Sequence, residues 1–272
     1  MAIRSALIHI MTAAALKAAR GLIRDFGEVE QLQVSIKGPG DFVSTADLKA
    51  ERVLKTELQR ARPGWGFLLE EGGATAGEDP RHRWIVDPLD GTTNFLHGLP
   101  FFAISIALER DGEIVAGVVY EPVRDEMFWA EKGAGAFVND RRLRVSARRQ
   151  LSEAVIGTGI PFRGRGNHPT YLATLAALME ATSGIRRYGS AALDLAYVAA
   201  GRLDAFWEFG LQPWDIAAGL LLVREAGGYA TDFAGAHGLT ASGDVLAAND
   251  HLHLPIAQLL KQVIRTAGAN AG

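Results

Sequence analysis

Two carboxylates in the first half of the chain stand close enough together to share a cation. Residues 84–95 read W-I-V-D-P-L-D-G-T-T-N-F, which places Asp87 and Asp90 three positions apart across a proline. Carboxylates packed this tightly repel one another, so one of them keeps a proton unless a cation lies between them. Gly91 and Thr92 follow at once, and small residues with free backbone N–H groups and hydroxyls suit a bound phosphate. The segment therefore predicts a metal site joined to a phosphate site.

The elements around this segment must aim its side chains at one place. The apolar run 83–86 predicts a buried strand that ends at Asp87, where a carboxylate projects from a sheet edge into a crevice. Gly91 is predicted to open a helix, whose N-terminal amides attract anions. Oxygen ligands without a nearby cysteine or paired histidine favour Mg²⁺ over zinc. Taken alone, the same residues are equally compatible with a β-turn in which Asp90 caps a helix.

Further acidic residues, considered together, favour the metal site over the β-turn. Glu70 and Glu71 follow a predicted strand, although such a pair on its own is usually a solvated turn. Asp215 lies at the start of a predicted helix, where the ordinary interpretation is an N-cap. Asp47 is equally ordinary by itself.

The composition narrows the classes of function. The chain has 272 residues, of which 48% are hydrophobic and 22% charged, as in a soluble globular protein with a substantial core. A formal net charge of −3 and a pI of about 6.2 carry no signature of nucleic-acid or acidic-membrane binding, so neither partner is expected. The absence of cysteine excludes disulfides and zinc–thiolate sites and is compatible with the cytoplasmic location that we predict.

The N-terminal segment is predicted to be a helix of the folded protein. We find no uninterrupted run of about 18 apolar residues, the length that spans a bilayer. Leu7, Ile10, Met11 and Ala14 recur at helical spacing, which favours an amphipathic helix over residues 1 to 25 rather than a cleaved signal peptide.

The pattern of elements changes near residues 146–153. Before this point the chain is rich in strands, above all at 101–138, where Asp111-Gly112 is a hairpin signal. After it, helices and strands alternate. We therefore predict an N-terminal half, 1–146, with most of the acidic residues and a C-terminal half, 147–272, with Asp215, packed as one compact unit. The other predicted elements are a strand at 32–40, a helix at 45–60, a polar surface loop at 72–82, strands at 155–160 and 203–208, and helices at 168–182, 191–200, 215–226 and 254–264.

A family resemblance rests on several blocks that occur in a fixed order over nearly the whole chain. They are D-F-V-S-T-A-D at 41–47, E-E at 70–71, the segment 84–95, G-V-V-Y-E-P-V-R-D-E at 117–126, K-G-A-G-A-F-V-N at 132–139, G-S-A-A-L-D-L-A-Y-V-A-A-G-R-L-D-A at 189–205, and P-W-D-I-A-A-G with E-A-G-G at 213–228. Together they resemble the inositol monophosphatase family, and most closely its bacterial branch. The resemblance implies an α/β (α+β) fold, the layered αβαβα sandwich shared with fructose-1,6-bisphosphatase. It also implies a Mg²⁺-dependent, lithium-sensitive phosphatase that acts on a small phosphorylated polyol, usually as a homodimer.

The resemblance further implies which residues hold the metal ions. Glu70, Asp87 and the backbone carbonyl of Leu89 would hold a first Mg²⁺, while Asp87, Asp90 and Asp215 would hold a second. Glu70 would also help to hold a third, more weakly bound ion.

Roles in catalysis and substrate binding follow from the same resemblance. Glu70 and Thr92 would position the attacking water, and Asp47 would orient the Thr92 hydroxyl. The amides of Gly91 and Thr92 would hold the phosphate. The positions that match substrate contacts are Asp90, Asp215, Gly189, Ser190, Ala191 and Glu208, with Lys37 near the mouth of the site.

The chain departs from the family at its first acidic motif. The family commonly has G-E-E-S there, whereas residues 69–72 read L-E-E-G. The expected ligand Glu70 is kept. We therefore expect altered loop packing and a changed affinity for the third metal ion, with activity retained.

The leading prediction is hydrolysis of a phosphate monoester, with myo-inositol monophosphate as the first candidate because Glu208 suits a polyol hydroxyl. Histidinol phosphate, fructose 1,6-bisphosphate, a nucleotide 3′-phosphate and NADP remain alternative substrates. A different class of function also remains open, namely a regulatory protein on the same fold that acts on RNA or the transcription machinery. A sugar-phosphate lectin is a third alternative, although it would not need a water-positioning threonine at residue 92.

Overall fold

The structure is a computed structural model that describes residues 4–29, 34–38, 41–161, 166–237 and 242–269. Its helices are α1 (Ala6–Phe26), α2 (Thr45–Ala61), α3 (Thr92–Leu96), α4 (His168–Ala181), α5 (Ala191–Ala199), α6 (Pro213–Glu225) and α7 (His253–Ala269). Its strands are β1 (Val34–Gly38), β2 (Asp41–Ser44), β3 (Trp65–Leu69), β4 (Gly73–Thr75), β5 (Asp79–Asp90), β6 (Ala103–Arg110), β7 (Glu113–Glu121), β8 (Glu126–Glu131), β9 (Gly135–Val138), β10 (Arg141–Arg142), β11 (Val155–Thr158), β12 (Gly184–Arg186), β13 (Ala205–Glu208), β14 (Tyr229–Thr231) and β15 (Val245–Ala248).

The larger sheet has eight strands in the order β10-β9-β8-β7-β6-β5-β3-β4. Side chains alternate between its faces: Trp84 and Val86 of β5 belong to one core, whereas Ile85 between them belongs to another. Both faces are therefore covered, as the continuous apolar runs of its strands require. The predicted hairpin between β6 and β7 is confirmed, and its turn places Asp111 and Gly112 at φ 53° and 78°.

Helices α1 and α2 cover one face of this sheet. Ser5 caps α1 by accepting a hydrogen bond from the Ile8 amide. Ala14, Ala18 and Leu22 of α1 are buried in the core that contains Trp84. Helix α1 is long and apolar enough to cross a membrane, judged by its length and composition alone. The buried core helix of a water-soluble protein can have the same length and composition.

Helices α5 and α6 fill the space between the two sheets. Leu193, Leu195 and Leu222 pack there in one core with Ile85 and Val119 of the large sheet. The smaller sheet has five strands in the order β12-β11-β13-β15-β14. Its outer face packs against α4 and α7 in a third core, whose members include Trp207, Leu178 and Ile256. The predicted five-layer αβαβα sandwich is confirmed.

Three local predictions need correction. Residues 72–82 are not one loop, because β4 pairs with β3 and β5 begins at Asp79. The close approach of Gly77 to the backbone of Gly66 allows this pairing, since a Cβ at Gly77 would collide with that backbone. The apolar spacing of 45–60 predicts Leu48 on the buried face of α2, whereas Leu48 is 48% exposed. The C-terminal helix continues past residue 264 to Ala269.

Candidate metal-dependent active site

Two of the acidic residues come from the end of β5. Asp87 pairs with Ser105 and Asp90 with Ala103, so β5 advances three residues while β6 advances two. Such a bulge bends a strand and re-aims its side chains. The Leu89 amide donates to Asp87 Oδ1 at 2.8 Å, which fixes the turn between the two acids.

The third acid comes from the other half of the chain. Asp215 lies in the first turn of α6, where its Oδ2 accepts a hydrogen bond from the Gln212 amide at 2.7 Å. One carboxylate oxygen each from Asp87, Asp90 and Asp215 lie within 4.8 Å of one another. An oxygen-only group of this size suits Mg²⁺, and the structure thus brings together the three acids predicted to hold the second ion.

Burial and mutual repulsion make this cluster unfavourable when it is fully charged. Burial, followed by the charges of Glu70, Asp90 and Asp215, raises the pKa of Asp87 well above its usual range. Burial and the charge of Asp90 do the same to the pKa of Asp215. Burial raises the pKa of Asp90 to about 6, against hydrogen bonds from Ser190 and the Ala192 amide. A bound cation would reverse these shifts by favouring the ionised carboxylates.

Glu70 reaches the cluster because β3 and β5 are parallel neighbours. Leu69 pairs with Val86, and the Glu70 amide donates to the Val86 carbonyl at 3.1 Å. Glu70, which follows the end of β3, therefore lies beside Asp87, near the end of the adjacent parallel strand β5, and their side chains are in hydrogen-bonding contact. Glu70 therefore adjoins the three-acid group.

Thr92 and Asp47 form a hydrogen-bonded pair next to the cluster. The Thr92 hydroxyl oxygen lies 3.0 Å from both Asp47 Oδ1 and the Leu89 carbonyl oxygen. The other carboxylate oxygen of Asp47 accepts from the amide and hydroxyl of Ser44 at 2.9 and 2.5 Å, which completes the capping box of α2. Burial raises the pKa of Asp47, although these hydrogen bonds oppose the rise.

Gly91 permits a close approach of the backbone beside these acids. It precedes α3 with φ 96°, a conformation that favours glycine. A Cβ there would lie 3.0 Å from the Phe101 carbonyl and 3.3 Å from the Gly189 carbonyl. The predicted helix opening after Gly91 is confirmed, so the Gly91 and Thr92 amides lie next to the acid cluster.

The second half of the chain is joined to Asp90 by Ser190 and α5. Ser190 caps α5 and is buried. Its hydroxyl donates to Asp90 Oδ2 at 2.5 Å, and the Ala192 amide donates to the same oxygen at 2.7 Å. Ser190 was predicted to contact substrate, and the structure shows that its hydroxyl donates to Asp90, one of the three clustered acids.

Glu208 reaches the site from the end of β13. Neighbouring β11 is parallel to it, with Thr158 opposite Trp207. Gly159, which follows β11, leaves room for the Glu208 carboxyl, because a Cβ at Gly159 would overlap that group. Burial and the charge of Asp90 raise the pKa of Glu208 to about 8, although the charge of Arg187 opposes the rise. Glu208 thus lies in the electrostatic field of the cluster.

Three residues near the site were not predicted. Asn94 Nδ2 donates to the carbonyls of Phe101 and Tyr188, both at 2.7 Å, and its place within the segment 84–95 was the available signal. Asp194 is buried, and its Oδ1 accepts no hydrogen bond from the described residues. Arg187 had no sequence signal beyond its position two residues before Gly189. Lys37 lies in β1, and its side chain is outside the described part of the chain.

The five-layer sandwich and its acid cluster beside a glycine–threonine turn define a phosphatase of the layered, metal-dependent class. The model of the inositol monophosphatase family matches residues 4–265, and the chain belongs to that family. This family lies within a superfamily of Mg²⁺-dependent phosphatases.

Relatives with two kinds of name are similar to the chain. Inositol-1-monophosphatase of Mesorhizobium japonicum is 60% identical over 259 residues, which cover 95% of this chain and 97% of that protein. Nus factor SuhB of Escherichia coli K12 is 44% identical, with 89% and 91% covered. The crystal structure of extragenic suppressor protein SuhB from Bartonella henselae is 58% identical with a TM-score of 0.92, and 94% of this chain and 99% of that chain are covered.

Proposed function

We propose that the chain hydrolyses myo-inositol monophosphate to myo-inositol and phosphate in a Mg²⁺-dependent reaction. The observation that carries the proposal is the group formed by Asp87, Asp90 and Asp215, whose ligand oxygens lie within 4.8 Å of one another. A phosphate next to this group would also meet the amides of Gly91 and Thr92. Relatives that are 54–60% identical carry the name inositol-1-monophosphatase, which supports this choice of substrate.

The acids and one carbonyl form the proposed metal-binding set. Asp87, Asp90 and Asp215 hold one Mg²⁺, Glu70 and Asp87 hold another with the Leu89 carbonyl, and Glu70 contributes to a weaker third site. When bound, Mg²⁺ neutralises the phosphate dianion, makes water more acidic and stabilises the leaving oxygen. Phosphoryl transfer needs mainly positioning and charge stabilisation, so the chain needs no nucleophilic side chain of its own.

Thr92 directs the attacking water in this proposal. Its hydroxyl proton points to Asp47 or to the Leu89 carbonyl, both 3.0 Å away. The oxygen lone pairs of Thr92 then remain free to accept a proton of the water, and Glu70 accepts the other. Asp47 cannot turn away easily, because Ser44 holds its second oxygen through two hydrogen bonds.

The alcohol part of the substrate lies on the opposite side, next to Gly189, Ala191 and Glu208. Burial raises the pKa of Glu208 to about 8, and a carboxyl that is protonated near neutral pH both donates to and accepts from a polyol hydroxyl. Ser190 acts indirectly, by holding Asp90 in place for the metal.

A panel of esters tests this function. The purified protein is assayed for phosphate release from myo-inositol 1-phosphate, histidinol phosphate, fructose 1,6-bisphosphate, a nucleotide 3′-phosphate and NADP, each with Mg²⁺ and with a chelator. We expect the highest kcat/KM for the inositol ester, and no turnover with chelator or in Asp90→Asn. A matched control is Asp232→Asn, which removes an acid outside the cluster. Rates equal to the metal-free blank for every ester would refute the phosphatase function.

A second candidate function is favoured by the relatives named Nus factor SuhB, which are 44–47% identical. In this alternative the chain acts through its surface on RNA or the transcription machinery. The double variant Asp87→Asn/Asp90→Asn distinguishes the two functions in cells. A deletion phenotype that this variant complements fully would favour the regulatory function, and failure to complement would favour catalysis.

The quaternary structure and location belong to the same proposal. We expect a homodimer, as the family resemblance implies, and a cytoplasmic location, with which the absence of cysteine is compatible. Sedimentation equilibrium and cell fractionation measure each directly, and a monomer at assay concentrations would contradict the first expectation.

A further inference from the structure

Arg187 places a positive charge at the substrate side of the acid cluster. It lies between β12 and Ser190, and its side chain is exposed. Its guanidinium rests over Gly189, which has φ 85°. A Cβ on Gly189 would collide with Arg187 Nη1 and would lie 3.2 Å from Asn94 Nδ2. The guanidinium therefore occupies the space that a side chain at Gly189 would fill.

The charge of Arg187 acts on the groups that face the alcohol part of the substrate. Burial raises the pKa of both Glu208 and Asp194, and Arg187 is the group whose charge opposes the rise in each case. It also lowers the pKa of Asp90, although burial dominates there. The positive charge of Arg187 thus acts on the three acids Glu208, Asp194 and Asp90.

Arg187 has no fixed anionic partner in the part of the chain that the structure describes, because no described acid lies within 4.0 Å of its guanidinium. Arg202 differs in this respect, because it makes a bidentate ion pair with Glu126. An exposed guanidinium held at a binding site without such a partner retains its donors for a ligand.

We propose that Arg187 binds a second anionic group on the alcohol part of the substrate, so that the site accepts phosphate monoesters that carry a further carboxylate or phosphate. This inference rests on the proposed phosphatase function. The reacting phosphate belongs at the Gly91 and Thr92 amides and the acid cluster. Arg187 lies instead over Gly189, beside Glu208, where the alcohol part is expected. A planar guanidinium suits two-point binding of a carboxylate or phosphate.

Two substrates with the same carbon skeleton test the inference. 2-Phosphoglycerate has a carboxylate at the position where glycerol 2-phosphate has one of its two hydroxymethyl groups. We measure kcat and KM for both with wild type, Arg187→Gln, Arg187→Lys and the control Arg186→Gln. Loss of a charge-assisted hydrogen bond predicts that Arg187→Gln lowers kcat/KM for 2-phosphoglycerate by about tenfold, mostly through KM.

The other variants and the neutral ester make the result specific. We expect Arg187→Gln to change kcat/KM for glycerol 2-phosphate by less than about twofold, and Arg187→Lys to restore part of the loss on 2-phosphoglycerate. Arg186→Gln should behave as wild type on both esters. If Arg187→Gln lowers kcat/KM by the same factor on both esters, Arg187 acts at the reacting phosphate and the inference is overturned. Equal kcat/KM of wild type and Arg187→Gln on 2-phosphoglycerate would also overturn it. If wild type hydrolyses neither ester nor any other in the panel, the proposed function itself fails.

Discussion

Removal of one carboxylate from the cluster should stabilise the metal-free protein and weaken its response to Mg²⁺. Asp215→Asn is the suitable change, because an asparagine side-chain oxygen can still accept the Gln212 amide that now binds Asp215 at 2.7 Å. The helix cap of α6 is thereby kept while the negative charge is removed.

The size of the effect follows from the spacing of the acids. Two ionised carboxylates with oxygens that lie within 4.8 Å of each other repel by at least about 3.5 kcal/mol at an effective dielectric constant of about 20. Partial protonation in the metal-free protein reduces this value, so we expect a gain of about 1–2 kcal/mol near pH 8. For a chain of this size that is a rise in melting temperature of roughly 2–8 °C.

The gain should depend on pH with a definite sign. Burial and the charge of Asp90 raise the pKa of Asp215 in the folded state. Above about pH 4, where the carboxyl ionises in the unfolded chain, the folded metal-free wild type therefore loses stability as pH rises. The asparagine variant lacks this loss, so the two proteins should differ little near pH 4 and increasingly toward pH 8.

Thermal unfolding with chelator and with Mg²⁺ measures both effects. A ligand at about ten times its dissociation constant stabilises wild type by about 1.4 kcal/mol per site, and we expect a smaller shift for Asp215→Asn. Asp204→Asn is the contrasting control, because its buried carboxylate is compensated by Arg148 at 3.1 Å and the Val155 amide at 2.8 Å. It should destabilise the protein equally with and without Mg²⁺. If Asp215→Asn destabilised the metal-free protein, or responded to Mg²⁺ as wild type does, the assignment of this cluster as a cation site would be wrong.

Three further substitutions test the site at single contacts. Gly91→Ala should lower stability by about 1–2 kcal/mol, since alanine is strained at φ 96°, and unfolding curves measure this loss. The same change should reduce kcat, measured from initial rates, because the phosphate-binding amides move. Gly159→Ala should displace the Glu208 carboxyl and raise KM for a polyol phosphate, reproducing the effect of Glu208→Gln in steady-state assays. Asp47→Asn should lower kcat by about two orders of magnitude, because the asparagine oxygen is needed to accept the Ser44 amide and its NH2 group, a donor, then faces the Thr92 hydroxyl.

Matched variants separate these effects from general destabilisation. Gly98→Ala carries similar strain at φ 69° with open space around the Cβ, so it should keep kcat. Ser44→Ala weakens the same cap of α2 but leaves Asp47 opposite Thr92. If Ser44→Ala lowered kcat as far as Asp47→Asn does, the orientation argument would fail. A wild-type KM in Gly159→Ala would likewise contradict the role of Glu208.

The sequence allowed prediction of those parts of the site that depend on local order. Asp87 and Asp90 follow an apolar strand, and that pattern was sufficient to predict a crevice at its end. The long helices were also predictable, since their apolar periodicity is strong, whereas the five-layer arrangement was expected only from the family resemblance. The family resemblance was needed to bring Asp215 to the same place, because nothing local in the sequence relates residues from different halves.

The features that sequence reasoning missed depend on tertiary contacts. The strand β4 was predicted as loop because its three residues are polar or small, and only pairing with β3 makes it a strand. Asp194 lies on an otherwise apolar helix, so its burial beside Gly157 could not be inferred from spacing. Arg187 was one basic residue among many until the fold placed its guanidinium over Gly189.

The hydrogen bonds of Ser190 and Ala192 to Asp90 have a consequence for synthesis of the chain on the ribosome. Asp90 emerges early, yet its partners follow 100 residues later, and β15, which lies between β13 and β14, is made later still. A nascent chain that has completed only β5 therefore presents acidic residues without the groups that hold them. Such a chain cannot assemble the complete site, so phosphatase activity should appear only once translation has passed β15.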